Sequence, residues 1–370
     1  MLNFDICSPI LGIKPQTNSG GEVYDRELLL HLAMKGINHL IFMPSNLPYI
    51  KHPNFYVCRA PIKTMFPPYI FNLFVLNFLN KSISKFSYPT IRLHDPYFTG
   101  PAGVLFKLRC PKIKLITNYH HLETSFLKKT IDKQIIHYWD AITVDSLATK
   151  KDFLTSFPEI SDQKVHVIYA GLADYYKPKS NSNIYKTFAN LKKWEFKKKL
   201  LFLGGLKPRK NLLFLIPILK KLPDEFVLVI AGTGIQRKSA EKLVLNLGLS
   251  ERVLFTGFVN EEIKPEIFSW ADATLLPSKM EGFGMIAAES QACGTPVIAS
   301  NCGSLPEVID HNRSGYVIPL DEKIWVKTIL SLFKTQGLIN DFSISGKQFV
   351  KKFSWHKSAD QFINIHESLI

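Results

Sequence analysis

The feature that most limits the folds open to this chain is an alternation in its second half. Short apolar runs stop at glycine or proline, and helix-length segments separate them. Leu200-Leu201-Phe202-Leu203 ends at Gly204-Gly205, and Phe226-Val227-Leu228-Val229-Ile230-Ala231 ends at Gly232-Thr233-Gly234. Runs this short and this uniformly apolar suit strands buried on both faces of a parallel sheet. Val253-Leu254-Phe255-Thr256, Ala273-Thr274-Leu275-Leu276 and Val297-Ile298-Ala299 continue the series. Residues 211–221, 261–270 and 284–293 read as helices, and another runs up to Leu247 before Gly248. The first is expected to be interrupted or kinked near Pro217, and the last to end at a left-handed Gly294. The alternation predicts an α/β fold with a doubly wound sheet and ligands at the carboxyl ends of its strands.

The first half repeats the pattern less regularly. Strand-like pieces stand at Asp5-Ile6-Cys7-Ser8, Leu40-Ile41-Phe42-Met43, Thr90-Ile91-Arg92-Leu93, Lys114-Leu115-Ile116-Thr117, Ala141-Ile142-Thr143-Val144 and Val165-His166-Val167-Ile168. A polar loop ending at Ser19-Gly20-Gly21 precedes a helix over 22–34. A length of 370 residues fits two such domains better than one. The expected division is 1–177 and 178–352, joined at Pro178, Lys179, Ser180, Asn181 and Ser182, with a separate helix over 353–370. Two α/β halves of this kind leave a cleft between them.

The net charge of +15 admits three partners: nucleic acid, an anionic membrane surface, or acidic substrates. No zinc-finger spacing, helix-turn-helix or aromatic RNA-binding motif supports the first. The most apolar run, 69–79, is too short to span a bilayer and reads as a buried helix after Pro67-Pro68. The basic charge and the aromatic segment 66–78 permit peripheral membrane contact. Five scattered cysteines with no Cys-x-x-Cys pair point away from a zinc site or disulfide framework and toward a reducing compartment. The start of the chain lacks a basic n-region and reads as a first strand, so a cytoplasmic location is expected.

Two motifs carry chemistry. In Glu281-Gly282-Phe283-Gly284-Met285-Ile286-Ala287-Ala288-Glu289, a glycine loop leads from a strand into a helix N-terminus, a site for an anion. Gly282 and Gly284 let backbone approach a ligand, and the two carboxylates are acceptors for sugar hydroxyls. Gly204-Gly205-Leu206-Lys207-Pro208-Arg209-Lys210-Asn211 places two cations where a helix begins. A helix start disfavours cations, so their position implies a nearby anion. Gly232-Thr233-Gly234 lacks the third glycine of a dinucleotide fingerprint.

With its flanks, the first motif resembles the Glu-x7-Glu signature of the GT-B-fold, retaining glycosyltransferases of family 4. Pro277-Ser278 precedes it. Gly294-Thr295-Pro296-Val297, Gly303-Ser304-Leu305-Pro306-Glu307 and Asn312-Arg313-Ser314-Gly315 follow. The resemblance implies two Rossmann-like domains facing across a cleft. It also implies a hexosyltransferase acting from a nucleotide diphosphate sugar, UDP- or GDP-linked, with no metal or other cofactor. A glycan, lipid-linked or small-molecule acceptor and a role in cell-surface glycan or glycolipid synthesis go with it. By similarity Glu281 grips the donor sugar, Glu289 the ribose, and Arg209 and Lys210 the diphosphate, beside the loop Gly282, Phe283, Gly284 and Met285. Gly20 and Gly21 resemble the N-domain glycine loop. His120, with His121 as the competing choice, resembles the active-site histidine. Gly205 departs from the pattern, since some members carry Arg there. A nucleotide-sugar epimerase and a non-catalytic nucleotide-sugar or polyanion binder are the alternatives.

Overall fold

The computed structural model describes residues 2–10, 13–15, 20–45, 47–61, 68–94, 96–122, 126–180 and 182–370. Ser19, Phe66, Pro67 and Asn181, which belong to segments named above, lie outside them. The chain forms two compact units, Met1–Gly171 with Ser354–Ile370, and Leu172–Phe353.

The first unit contains β1 (Leu2–Asn3), β2 (Ile6–Pro9), β3 (His39–Pro44), β4 (Phe55–Ala60), β5 (Phe86–Ser87), β6 (Thr90–Leu93), β7 (Lys114–Tyr119), β8 (Ala141–Val144) and β9 (Val165–Val167). Seven of them form a parallel sheet in the order β4-β3-β2-β6-β7-β8-β9, and β1 pairs separately with β5. The strand β4 has no counterpart in the sequence expectations. It is an edge strand, half exposed along most of its length, so it lacks the uniform apolar run of a central strand. The helix Pro68–Ser82 buries Phe71, Val75 and Leu79 at helical spacing against the sheet, as a core helix should.

Gly20–Met34 is the first helix of this unit, so Gly20 and Gly21 belong to its first turn rather than to the preceding loop. It packs on the last helix, Trp355–Leu369, through Tyr24 and Trp355, whose rings lie 5.6 Å apart. Ser358 ties that helix to the carbonyl of Tyr169 at 2.6 Å. Any side chain at Gly171 would begin 2.1 Å from the Trp355 nitrogen, so glycine is needed where the helix start crosses it.

The second unit contains β10 (Lys198–Leu203), β11 (Phe226–Ala231), β12 (Val253–Gly257), β13 (Ala273–Leu276), β14 (Val297–Ser300) and β15 (Gly315–Ile318). They form a parallel sheet in the order β12-β11-β10-β13-β14-β15. The winding reverses between β10 and β13, and in such a sheet the carboxyl ends of the two flanking strands form the ligand crevice.

The expected helix over 211–221 is not continuous. A 3-10 turn spans Pro208–Lys210, Asn211 takes a left-handed conformation with φ 57°, a second 3-10 turn spans Leu212–Phe214, and an α-helix runs only over Leu215–Lys221. Asparagine tolerates that conformation, which breaks the helix. Pro217 falls in the first turn of the short helix, where no backbone N–H is needed, so it does not interrupt anything. Gly294 does adopt the expected left-handed conformation, with φ 87°.

Candidate active site

The loops after β10 and β13 meet at the switch point of the second unit. The Lys279 amide donates to the Arg209 carbonyl at 2.7 Å, and Arg209 Nη1 donates to the Met280 carbonyl at 3.2 Å. This brings both cations onto the first glutamate of the motif. Lys210 forms an ion pair with Glu281 Oε1, the Ser278 hydroxyl donates to the same oxygen at 2.8 Å, and Arg209 Nη1 stands 3.7 Å from Oε2. Glu281 is buried. Burial alone raises a carboxyl pKa, but Lys210, Ser278 and Arg209 outweigh it and hold Glu281 below its ordinary value. Arg209 and Lys210 lie in a 3-10 turn and not at the start of an α-helix, and the anion beside them in the structure is Glu281. That side chain is therefore a holder of Arg209 and Lys210, with both oxygens engaged.

A third loop fixes the second. The Ser304 amide lies 3.3 Å from the Glu281 carbonyl oxygen, and a Cβ on Gly303 would meet that oxygen at 2.1 Å. Gly284, at φ 86°, caps the helix Met285–Ala292, and its carbonyl accepts from the Ala287 amide at 2.8 Å. The Phe283 ring is buried edge-on against Phe353 at 5.1 Å, which leaves its backbone as its contribution to the loop. A Cβ at Gly205 would meet nothing nearer than Lys207 at 3.8 Å, so the departure from the family pattern leaves open space.

Glu289 sits in a different setting. It is buried on the same helix, with Lys264 Nζ 3.6 Å from Oε2. Lys264 also pairs with Glu261 at 2.7 Å, and the Tyr176 hydroxyl donates to Glu261 at 2.7 Å. Burial first, then repulsion from Glu261, raise the Glu289 pKa, and Lys264 offsets this only in part. Oε2 has Lys264 as its ion-pair partner and no closer hydrogen bond among the described residues. The two glutamates of the motif are thus electrostatic opposites.

In the first unit His120 follows β7 directly. Its Nδ1 is 2.7 Å from Asp145 Oδ2 and its Nε2 is 3.8 Å from Asp25 Oδ2. A Cβ on Gly21 would stand 3.0 Å from the ring, so this glycine makes room for the imidazole. Arg92 and His94 pair with the other oxygen of Asp25 at 2.8 and 2.7 Å. Burial lowers a histidine pKa, but the two carboxylates overcome it and push His120 up to about 10. Burial and the Arg92 charge push His94 down to about 4. Sequence reasoning missed Asp25, Arg92 and Asp145. The available signal was position, since Asp145 follows β8 just as His120 follows β7.

Two parallel sheets of Rossmann type, each with charged side chains gathered at the carboxyl ends of its strands, define the GT-B fold of glycosyltransferases. Residues 184–349 match the family model of glycosyl transferases group 1, and residues 18–173 match that of glycosyltransferase family 4. The chain belongs to this glycosyltransferase family. It is 32% identical over 237 residues to an uncharacterized glycosyltransferase of Methanocaldococcus jannaschii, a match covering 59% of this chain and 57% of that one. The chain thus spans little more than half the length of that relative. Sucrose-phosphate synthase of Thermosynechococcus elongatus shares the fold with a TM-score of 0.82 at 22% identity, over 100% of this chain and 99% of that one. Anabaena HepE, crystallised with UDP and glucose, shares it with a TM-score of 0.80 at 18% identity, over 99% and 100%. Among the described residues no group of three or more His, Cys, Asp or Glu is placed to hold a metal ion, and no helix is long and apolar enough to cross a membrane.

Proposed function

We propose that this glycosyltransferase moves a hexose from a UDP- or GDP-linked donor to an acceptor hydroxyl with retention of configuration, in cell-surface glycan or glycolipid synthesis. The observation that carries the reading is the Arg209–Lys210–Glu281 constellation at the switch point. Cleavage of the bond between the anomeric carbon and the diphosphate oxygen leaves a dianionic group with growing charge. Two cations fixed in advance stabilise that charge more in the transition state than in the ground state. They supply the positive charge that a metal ion supplies elsewhere, which supports a metal-independent reaction. The structural neighbour holding UDP and glucose supports the donor class.

The roles of the carboxylates follow from their settings. Glu281, held ionised and fully engaged, positions the cations and is a poor nucleophile or base. Glu289 has a buried oxygen reached by Lys264 only at ion-pair distance, and a ribose hydroxyl supplies the shorter hydrogen bond it lacks among the described residues. His120, held protonated, donates a hydrogen bond and does not accept a proton. The acceptor's proton therefore passes to the departing phosphate oxygen as the new bond forms on the face that oxygen leaves, which retains the configuration.

The test is product analysis. Incubation with UDP- and GDP-hexoses and a panel of acceptors should give an anomer of unchanged configuration by NMR. An inverted anomer sinks the mechanism, and an epimerised sugar from donor alone replaces transfer with epimerisation.

A further inference from the structure

From residue 28 to residue 122 the chain carries eleven lysines and arginines and a single acid, Asp95. Ten of the fifteen net positive charges of the chain thus come from about a quarter of its length. The stretch includes two neighbouring helices of the first unit, Pro68–Ser82 and Gly100–Arg109, neither of which contains an acidic residue. They cover the same core: Phe71, Val75 and Leu79 of one and Ala102, Val104 and Phe106 of the other belong to a single cluster. Asn72 bridges them at one end, donating to the Tyr97 carbonyl at 3.1 Å and accepting from the Ala102 amide at 3.0 Å. Arg109 bridges them at the other, donating to Asn80 at 3.2 Å. The helices therefore run side by side, and the faces turned from the core form one outer surface.

That surface is apolar where solvent-facing helices are normally polar. Leu73 is 68% exposed, Leu105 50% and Leu108 57%, and Ile83 just beyond the first helix is 46% exposed. Lys81, Lys85, Arg109 and Lys112 stand beside them, with no carboxylate in ion-pair range among the described residues. Four exposed aliphatic side chains among unpaired cations match the two components of an anionic bilayer surface, acyl boundary and phosphate.

We infer that this face docks the protein on an anionic phospholipid surface, lying in the interface plane. The leucines enter the headgroup boundary, and the cations sit at phosphate level. A water-soluble acidic partner fits less well, because it accounts for the cations and leaves the leucines unexplained. A second copy of the chain brings like charge to like charge. The inference does not depend on which sugar the enzyme transfers, or on whether it transfers one.

Co-sedimentation with vesicles tests it. The full chain should bind phosphatidylcholine vesicles containing phosphatidylglycerol, bind pure phosphatidylcholine at least tenfold more weakly, and be released by salt. Leu73→Gln, Leu105→Gln and Leu108→Gln together should reduce binding at least tenfold with the melting curve unchanged. Lys81→Gln and Lys112→Gln should each cost about fivefold. No binding to the anionic vesicles, or equal binding by the triple leucine variant, overturns the inference. So does a wild-type dimer that the triple variant converts to monomer, since the face then joins two copies.

Discussion

Asp145→Asn is the substitution that most directly tests the first-unit cluster. The Asp145 carboxylate lies 2.7 Å from His120 Nδ1, and Asp25 lies 3.8 Å from Nε2. At about 4 Å and an effective dielectric constant near 20, two unit charges interact by about 4 kcal/mol. One such carboxylate raises the proton affinity of the imidazole roughly a thousandfold before burial works against it. The net result is a pKa pushed up to about 10. With Asp145 neutralised, only Asp25 remains, more distant and already shared with Arg92 and His94. The imidazole should then titrate near about pH 7.

The sign of the stability effect follows. A pKa higher in the folded chain than in the unfolded one gives stability that is complete below about pH 6.5 and is lost as pH rises through about 10. Asp145→Asn should therefore cost about 3 kcal/mol at neutral pH, with the gap narrowing as pH approaches 10. Imidazole NMR across the pH range, paired with urea unfolding, measures both. A wild-type His120 that titrates near its ordinary value, or one that does not move in the variant, refutes the reasoning.

Gly21→Ala places a methyl group 3.0 Å from the His120 ring, so the ring must shift by a few tenths of an ångström. Transfer should fall while the melting temperature changes little, and an unchanged kcat counts against a role for the ring. Lys210→Met removes the charge that the proposed reaction sets against the leaving group, and strands the buried Glu281. It should cost on the order of a hundredfold in kcat and about 3 kcal/mol in stability. Adding Glu281→Gln should restore most of the stability and none of the transfer, as read by urea unfolding alongside turnover.

The strands were legible where burial is complete. Phe226–Ala231 matches the sequence reading residue for residue, because a strand covered on both faces is apolar throughout. β4 escaped because an edge strand can afford Tyr56 and Arg59. The break at Asn211 escaped because a left-handed asparagine leaves no periodic trace. Arg209, Lys210 and Glu281 were each visible as motif residues, but their contact was not. Glu281 stands 71 positions from Lys210 and one further from Arg209, and only the reversal of strand order between β10 and β13 brings it to them. The His120 surroundings draw on Asp25, Arg92 and Asp145 from three further elements, and no local pattern marks a partnership of that kind.

The loops after β10, β13 and β14 are joined through main-chain atoms: Lys279 to Arg209, and Ser304 and Gly303 to Glu281. For anyone recombining this chain with its relatives, the unit of exchange is accordingly all three loops together. A loop brought in alone by a crossover must still meet the same main-chain atoms of the other two.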